Sequence, residues 1–298
     1  MKIYVLLILI FTLPMIQAQT NKINFLVGTY TNSCESKGIY VYEFDSVTGD
    51  FSFKNVSEQL VNPSYLTISN DNKMVYAVSE NDKKESGAIA LNFNQENGKL
   101  DVLNKSDGKG AGSCYIINDD ATVITANYGS GSISVFGKNK DGSLTEVKQV
   151  IQHTGKGINP KRQEKPHVHM VYFSPDKKYV LAVDLGTDVI SVYQYNPNSE
   201  NEILKIHSSI SVPAGGGPRH LTFSKDGKYV YVLQELDGSL VTFRYKNGWL
   251  EKVSETSILP KEYKGKIQSA DIHISPDGKF LYATNRGETG EITIFKIA

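Results

Sequence analysis

The chain has 298 residues, in which 32 Lys and Arg balance 32 Asp and Glu, so the formal net charge is zero. A neutral chain has no field with which to gather phosphate backbones, which argues against generic nucleic-acid binding. A hydrophobic content of 40% argues against disorder, and 17 Tyr, 12 Phe and 25 Gly suit many strands joined by tight turns.

The N-terminus reads as a signal peptide over residues 1–18. Lys2 precedes an apolar run over residues 3–16, which Pro14 interrupts, and Gln17, Ala18 and Gln19 follow. The run is shorter than the roughly 20 apolar residues that a spanning helix needs. The expectation is therefore an exported protein, secreted or periplasmic, with no membrane attachment after cleavage. Export would make Cys34 and Cys114 eligible for a disulfide, but two unpaired thiols are expected.

Beyond residue 19 the chain reads as one domain built of repeats. The first repeat offers apolar runs over residues 25–31, 38–44 and 51–56, matching the second to fourth strands of later repeats. Ser69-Asn70-Asp71-Asn72-Lys73 is the first of a series of turns. Ile117-Asn118-Asp119-Asp120 is a weaker copy, and Ser174-Pro175-Asp176, Ser224-Lys225-Asp226-Gly227 and Ser275-Pro276-Asp277-Gly278 are stronger ones. The turn aspartates 71, 119, 176, 226 and 277 are separated by 48, 57, 50 and 51 residues. Asn97-Gly98, Asp141-Gly142 and Asn247-Gly248 supply later hairpin turns within the repeats.

Four short antiparallel strands per repeat of this length is the signature of a β-propeller blade. The polar stretch 153–165 reads as a surface loop. The last repeat stops after a third strand near residues 292–297. The strand count thus predicts about five and a half repeats of a seven-bladed-type propeller, with the C-terminal part of the ring missing and residues 19–298 forming an incomplete ring.

In an antiparallel hairpin, the start of the first strand and the end of the second share one edge. Aligned on the turn serine, Ser64, Ser113, His169, Arg219 and Ala270 start the inner strands. Glu80, Asn127, Asp184, Glu235 and Asn285-Arg286 end the second strands. Both sets are expected at one mouth of the central channel. There His169 or Glu235 could act as a base, while Arg219 and Arg286 could hold an anion and stabilise an oxyanion. His167, Asn127, Tyr128 and Asp184 are candidate substrate-binding residues. His220 and His273 are assigned to the core or to supporting roles. Gly215-Gly216-Gly217-Pro218 precedes a strand and lacks the helix N-terminus of a phosphate loop. No carboxylate cluster has metal spacing, and no Gly-x-Ser-x-Gly elbow is present, so neither a metal site nor a serine hydrolase is expected.

These same residues carry a resemblance. Pro166-His167-Val168-His169, Asp184-Leu185-Gly186-Thr187-Asp188, Gly217-Pro218-Arg219-His220, Glu235-Leu236, Asn127-Tyr128-Gly129-Ser130-Gly131 and Asn285-Arg286-Gly287 are similar to motifs of the seven-bladed propeller lactonases of the 6-phosphogluconolactonase type. The resemblance spans nearly all of residues 25–298. It implies hydrolysis of 6-phosphogluconolactone to 6-phosphogluconate without a metal; a monomer with no cofactor is the expectation. In the related carboxy-muconate lactonising enzymes, the residues matching His169, Arg219, Glu235 and Arg286 are implicated in lactone chemistry. The alternatives are a non-catalytic propeller that binds a sugar acid or protein partner, and a lactonising cycloisomerase.

Overall fold

A computed structural model describes residues 21–82, 86–287 and 290–297, and the expected signal peptide lies outside the described residues. The regular elements of the described residues are all strands, arranged in six up-and-down antiparallel sheets. The first contains β1 (Lys22–Val27), β2 (Tyr40–Asp45) and β3 (Phe51–Val56). The second contains β4 (Leu66–Ile68), β5 (Met74–Ser79), β6 (Ser86–Phe93) and β7 (Leu100–Gly110). The third contains β8 (Ser113–Asn118), β9 (Thr122–Asn127), β10 (Ser132–Lys138) and β11 (Leu144–Gln152). β12 (Val168–Phe173), β13 (Tyr179–Asp184), β14 (Val189–Tyr195) and β15 (Leu204–Ser211) form the fourth. β16 (Pro218–Phe223), β17 (Tyr229–Gln234), β18 (Ser239–Lys246) and β19 (Trp249–Ser257) form the fifth. The sixth has β20 (Ser269–Ile274), β21 (Phe280–Asn285) and β22 (Glu291–Lys296). This is the four-stranded blade architecture of a propeller, with three strands in the first and last sheets.

The repeating turn explains why the inner hairpins form where they do. In the fourth sheet Ser174 Oγ donates to Asp176 Oδ1 at 2.7 Å and accepts from Tyr179 N at 3.0 Å. The Asp176 carboxylate in turn accepts from Lys178 N at 3.2 Å. Ser and Asp thus satisfy backbone donors that a tight turn would leave bare. The same contacts recur at Ser69, Ser224 and Ser275. In the third sheet the turn is shorter: Asp119 N donates to Thr122 O, and the Asp119 carboxylate takes the N–H groups of Ala121 and Thr122. Asp119, and not Asn118, therefore occupies the serine position.

The first strand ends earlier than the sequence pattern suggests, at Val27. A Cβ on Gly28 would lie 2.2 Å from the Pro63 carbonyl oxygen, so the chain crosses the second sheet there at a distance only glycine permits.

The cores lie between neighbouring sheets. Residues of the third, fourth and fifth sheets share one cluster that includes Ile133, Val171, Leu181, Val192, Val232 and Phe243, all fully buried. Smaller clusters join the first sheet to the second, the second to the third and the fifth to the sixth. Val180, Leu181 and Val183 in β13 are covered on both faces, and each such Val or Leu contributes about 1.5–3 kcal/mol. This packing holds the inner hairpins rigid and fixes what their upper ends present.

Candidate functional site

The upper ends of the inner hairpins surround a cavity of about 590 Å³. In the third to sixth sheets a bulge interrupts the pairing of the first two strands at its upper end: Ser113 pairs with Asn127, Val168 with Asp184, Pro218 with Gln234 and Ser269 with Asn285. The residue after each first-strand partner is left out of the ladder and turns into the mouth. These residues are Cys114, His169, Arg219 and Ala270, joined by Ser64 from the second sheet. The sequence alignment named Ser113, one position early, because it took Asn118 for the turn serine. Ser113 is fully buried and donates to Asn127 Oδ1 at 2.7 Å.

The second strands follow a similar rule. Their last paired residues point inward and hold the upper turns together. Asn127 donates to Ser132 and Ser134 at 3.0 and 2.8 Å. Asp184 accepts from the backbone of His167 and Gly186 at 2.8 and 3.0 Å and lies 2.9 Å from His153 Nδ1. Both are fully buried and lie outside the cavity lining, which corrects the expectation that Asn127 and Asp184 face the mouth. The next residue along does face it, namely Glu80, Tyr128, Glu235 and Arg286. His167 is also buried behind the wall. Its ring stacks on Tyr128 with centroids 4.3 Å apart, and Nδ1 lies 2.9 Å from the Tyr128 carbonyl oxygen, so it supports Tyr128 from the rear.

One half of the mouth is built on Glu235. This buried carboxylate lies 2.6 Å from Arg162 Nη2, 2.9 Å from Arg219 Nε and 3.2 Å from Arg286 Nη2. Arg219 is the deepest of the three, and its Nη1 donates to the Ala270 carbonyl at 2.7 Å. Its Nε faces Glu235 as an ion pair without hydrogen-bond alignment. Arg162 and Arg286 are more exposed, at 36% and 49% of their side chains. Arg162 comes from the loop that the sequence pattern assigned to the surface; no local signal marks it, because a distant contact sets its path.

The other half is made of rings. His169 lies edge-on to Tyr128 and His220, and its Nδ1 is 3.8 Å from Cys114 Sγ. Burial, reinforced by the positive charge of Arg219, pushes His169 well below the ordinary histidine range. It is therefore a neutral imidazole at neutral pH.

His220, given a core or supporting role from the sequence, is buried and also lines the cavity. Its Nδ1 lies 2.7 Å from Asp271 Oδ1, and its Nε2 lies 3.3 Å from Arg219 Nη1. Burial pushes it down to about 4, against the pull of Asp271. A neutral His220 that donates from Nδ1 to Asp271 presents Nε2 as an acceptor, and the Arg219 guanidinium donates to it. Asp271 also lies 2.9 Å from His273 Nε2. Burial opposes the ionisation of Asp271, but the hydrogen bonds from His220 and His273 outweigh it and hold the carboxyl below the usual range.

A third corner joins Ser64, which donates to Glu80, with Tyr30, whose hydroxyl burial and Glu80 push up to about 12. Cys114 is pushed to about 12 by burial and stays a thiol; both cysteines are free. The glycine run before β16 is also accounted for. Gly215 N and Gly217 N donate to the Asp188 carboxylate at 2.7 and 2.9 Å, so an internal anion occupies those amides.

Three comparisons bear on this site. The family model described as "Lactonase, 7-bladed beta-propeller" matches residues 24–298. A protein of Bacillus subtilis named 6-phosphogluconolactonase is 35% identical over 275 residues, covering 91% of this chain and 76% of its own. Among solved structures, a Bacteroides fragilis protein provisionally assigned as a 6-phosphogluconolactonase has a TM-score of 0.89 at 40% identity, covering 94% of this chain and 79% of that one. The periplasmic gluconolactonase of Pseudomonas aeruginosa has a TM-score of 0.88 at 33% identity, covering 93% of this chain and 79% of its own.

Proposed function

Since this chain belongs to the seven-bladed β-propeller lactonase family, we propose that it hydrolyses a sugar lactone, with 6-phosphogluconolactone, opened to 6-phosphogluconate, as its substrate. One observation carries the reading: a neutral imidazole, His169, and a partly buried guanidinium, Arg219, line the same cavity. Ester hydrolysis needs a lone pair to take a proton from water and a cation to meet the charge that grows on the carbonyl oxygen.

In the proposed reaction His169 accepts a proton as water attacks the lactone carbonyl carbon. Arg219 donates to the developing oxyanion. Collapse of the tetrahedral intermediate breaks the bond between the carbonyl carbon and the ring oxygen, and the proton returns to that oxygen as it leaves as an alcohol. Glu235 accepts from arginines and aims them; its lone pairs are engaged, which favours His169 over Glu235 as the base. The guanidiniums supply the positive charge that a Lewis acid would otherwise provide. Export, with action outside the cytoplasm, belongs to the same proposal and rests on the apolar pattern of residues 3–16.

The test is a rate measurement on freshly prepared 6-phosphoglucono-1,5-lactone at neutral pH, with purified protein and without it. Turnover well above spontaneous ring opening supports the proposal. A rate equal to the spontaneous one rejects it in favour of a propeller that only binds.

A further inference from the structure

Resting on that lactonase reading, we propose that the loop of residues 153–165 is the specificity element of the mouth, and that Arg162 selects a phosphate ester on the substrate, away from the reacting carbonyl. Arg162 stands apart from the other lining residues described. They come from the ends of the inner strands or from the segments directly flanking a sheet's first two strands, whereas Arg162 sits deep in a connection between two sheets.

The loop is held in place before any ligand arrives. Gln163, fully buried, donates from Nε2 to the Leu185 carbonyl at 2.9 Å and to the Asp188 carboxylate at 2.7 Å, while its Oε1 accepts from Asn159 N at 3.0 Å. Lys165 Nζ donates to the Gly129 carbonyl at 2.7 Å. At the other end, His153 bridges Asp184 and the Tyr193 hydroxyl at 2.9 and 2.8 Å. Asp188 also binds the amides of Gly215 and Gly217, just before Arg219. A single buried carboxylate thus ties the Arg162 loop to the segment that carries the deepest arginine. A guanidinium fixed in this way loses little freedom on binding.

The charge balance names the ligand. Glu235 carries one negative charge among three guanidiniums, an excess of two positive charges. Over the whole mouth Glu80 and Asp271 offset those two charges, but neither forms an ion pair with the guanidiniums, since Ser64 donates to Glu80 and His220 and His273 lie against Asp271, so the excess is local to the Glu235 half. A phosphate monoester, close to a dianion at neutral pH, matches that excess. Arg162 bonds Glu235 and the Tyr128 hydroxyl through Nη2, and its Nε and Nη1 keep hydrogens that can each donate singly to a phosphate oxygen.

The test compares kcat/KM for 6-phosphoglucono-1,5-lactone and glucono-1,5-lactone in wild type, Arg162→Gln and Arg162→Lys. Binding of 6-phosphogluconate and gluconate is measured by calorimetry on the same proteins, and thermal melting checks the fold. The phosphate-to-neutral ratio of kcat/KM is expected to fall about tenfold or more in Arg162→Gln and to recover partly in Arg162→Lys. An equal loss on both lactones would overturn the proposal, since Arg162 would then serve only to hold Glu235. An unchanged ratio would overturn it as well. The binding arm separates the two readings: Arg162-dependent preference for 6-phosphogluconate without lactone turnover keeps the phosphate site and removes the lactonase. Equal affinity of wild type for the two acids removes the phosphate site even if lactones are hydrolysed.

Discussion

The two halves of the mouth keep their charges by opposite means. Around Glu235, one buried carboxylate draws three guanidiniums, which are permanent cations, into a single cluster. Around His169, the imidazole stays neutral because burial and the neighbouring arginine make a second cation too costly. Pairing governs one half and desolvation the other. The contrast teaches how a donor of positive charge and an acceptor of protons coexist in a single cavity: burial, with the charge of Arg219 added to it, keeps the histidine beside that arginine neutral.

Removing the working group from either half should have the largest effect. His169→Ala and Arg219→Ala are each expected to lower lactone turnover by about 10²–10⁴-fold without unfolding the protein. Steady-state kinetics with circular dichroism on the purified variants checks this, and turnover near the wild-type level in either would remove that residue from the mechanism. Glu235→Gln attacks the pairing itself. It should cost about 10²–10³-fold in kcat/KM, because the neutral amide gathers the guanidiniums less firmly. If KM rose with kcat unchanged, Glu235 would serve binding only and would not aim Arg219 at the oxyanion.

The desolvated half has a signature in stability. His220 is held at about 4 in the folded protein against 6.5 as its ordinary value. Between those values the unfolded chain binds a proton that the folded state refuses, so stability falls as pH falls from 6.5 to 4. The loss from His220 alone is about 2–3 kcal/mol, and His169 shifts in the same direction. His273, raised by its hydrogen bond to Asp271, contributes stability below 6.5 that is lost as pH rises through its folded value. Urea unfolding at pH 7 and pH 4.5 checks the sign, and a flat profile would show that burial does not set the charge of this half. The smallest expected effect is that of chelation. With guanidiniums as the electrostatic partners of the carbonyl, activity after exhaustive EDTA treatment should equal that before it. A loss restored by Ca²⁺ or Zn²⁺ would replace the arginine half with a metal.

What the sequence disclosed follows the range of the forces involved. The Ser-x-Asp turns close on themselves within five residues, so the inner hairpins could be read directly. His169, Arg219, Glu235 and Arg286 then converged because they sit at fixed distances from those turns. Errors of one residue were costly, since one step along a strand turns a side chain to the other face. The shortened turn at Asp119 hid Cys114 behind Ser113. The buried last pair put Asn127 and Asp184 inside the wall and left Tyr128 at the mouth. Arg162 was illegible for another reason: the bond from Gln163 to Asp188 that fixes its loop spans 25 residues and obeys no period. The partner of His220 is equally out of reach of a local reading, since Asp271 lies on the next sheet, 51 residues away.

The central claim is that the two halves act together on one lactone, and a double-mutant cycle on kcat/KM tests it most directly. His169→Ala, Arg219→Ala and the double variant would be assayed on 6-phosphoglucono-1,5-lactone under one set of conditions. If both groups serve the same transition state, the double variant should be little slower than the slower single variant. Fully additive losses would mean that the two halves work independently and would contradict the account.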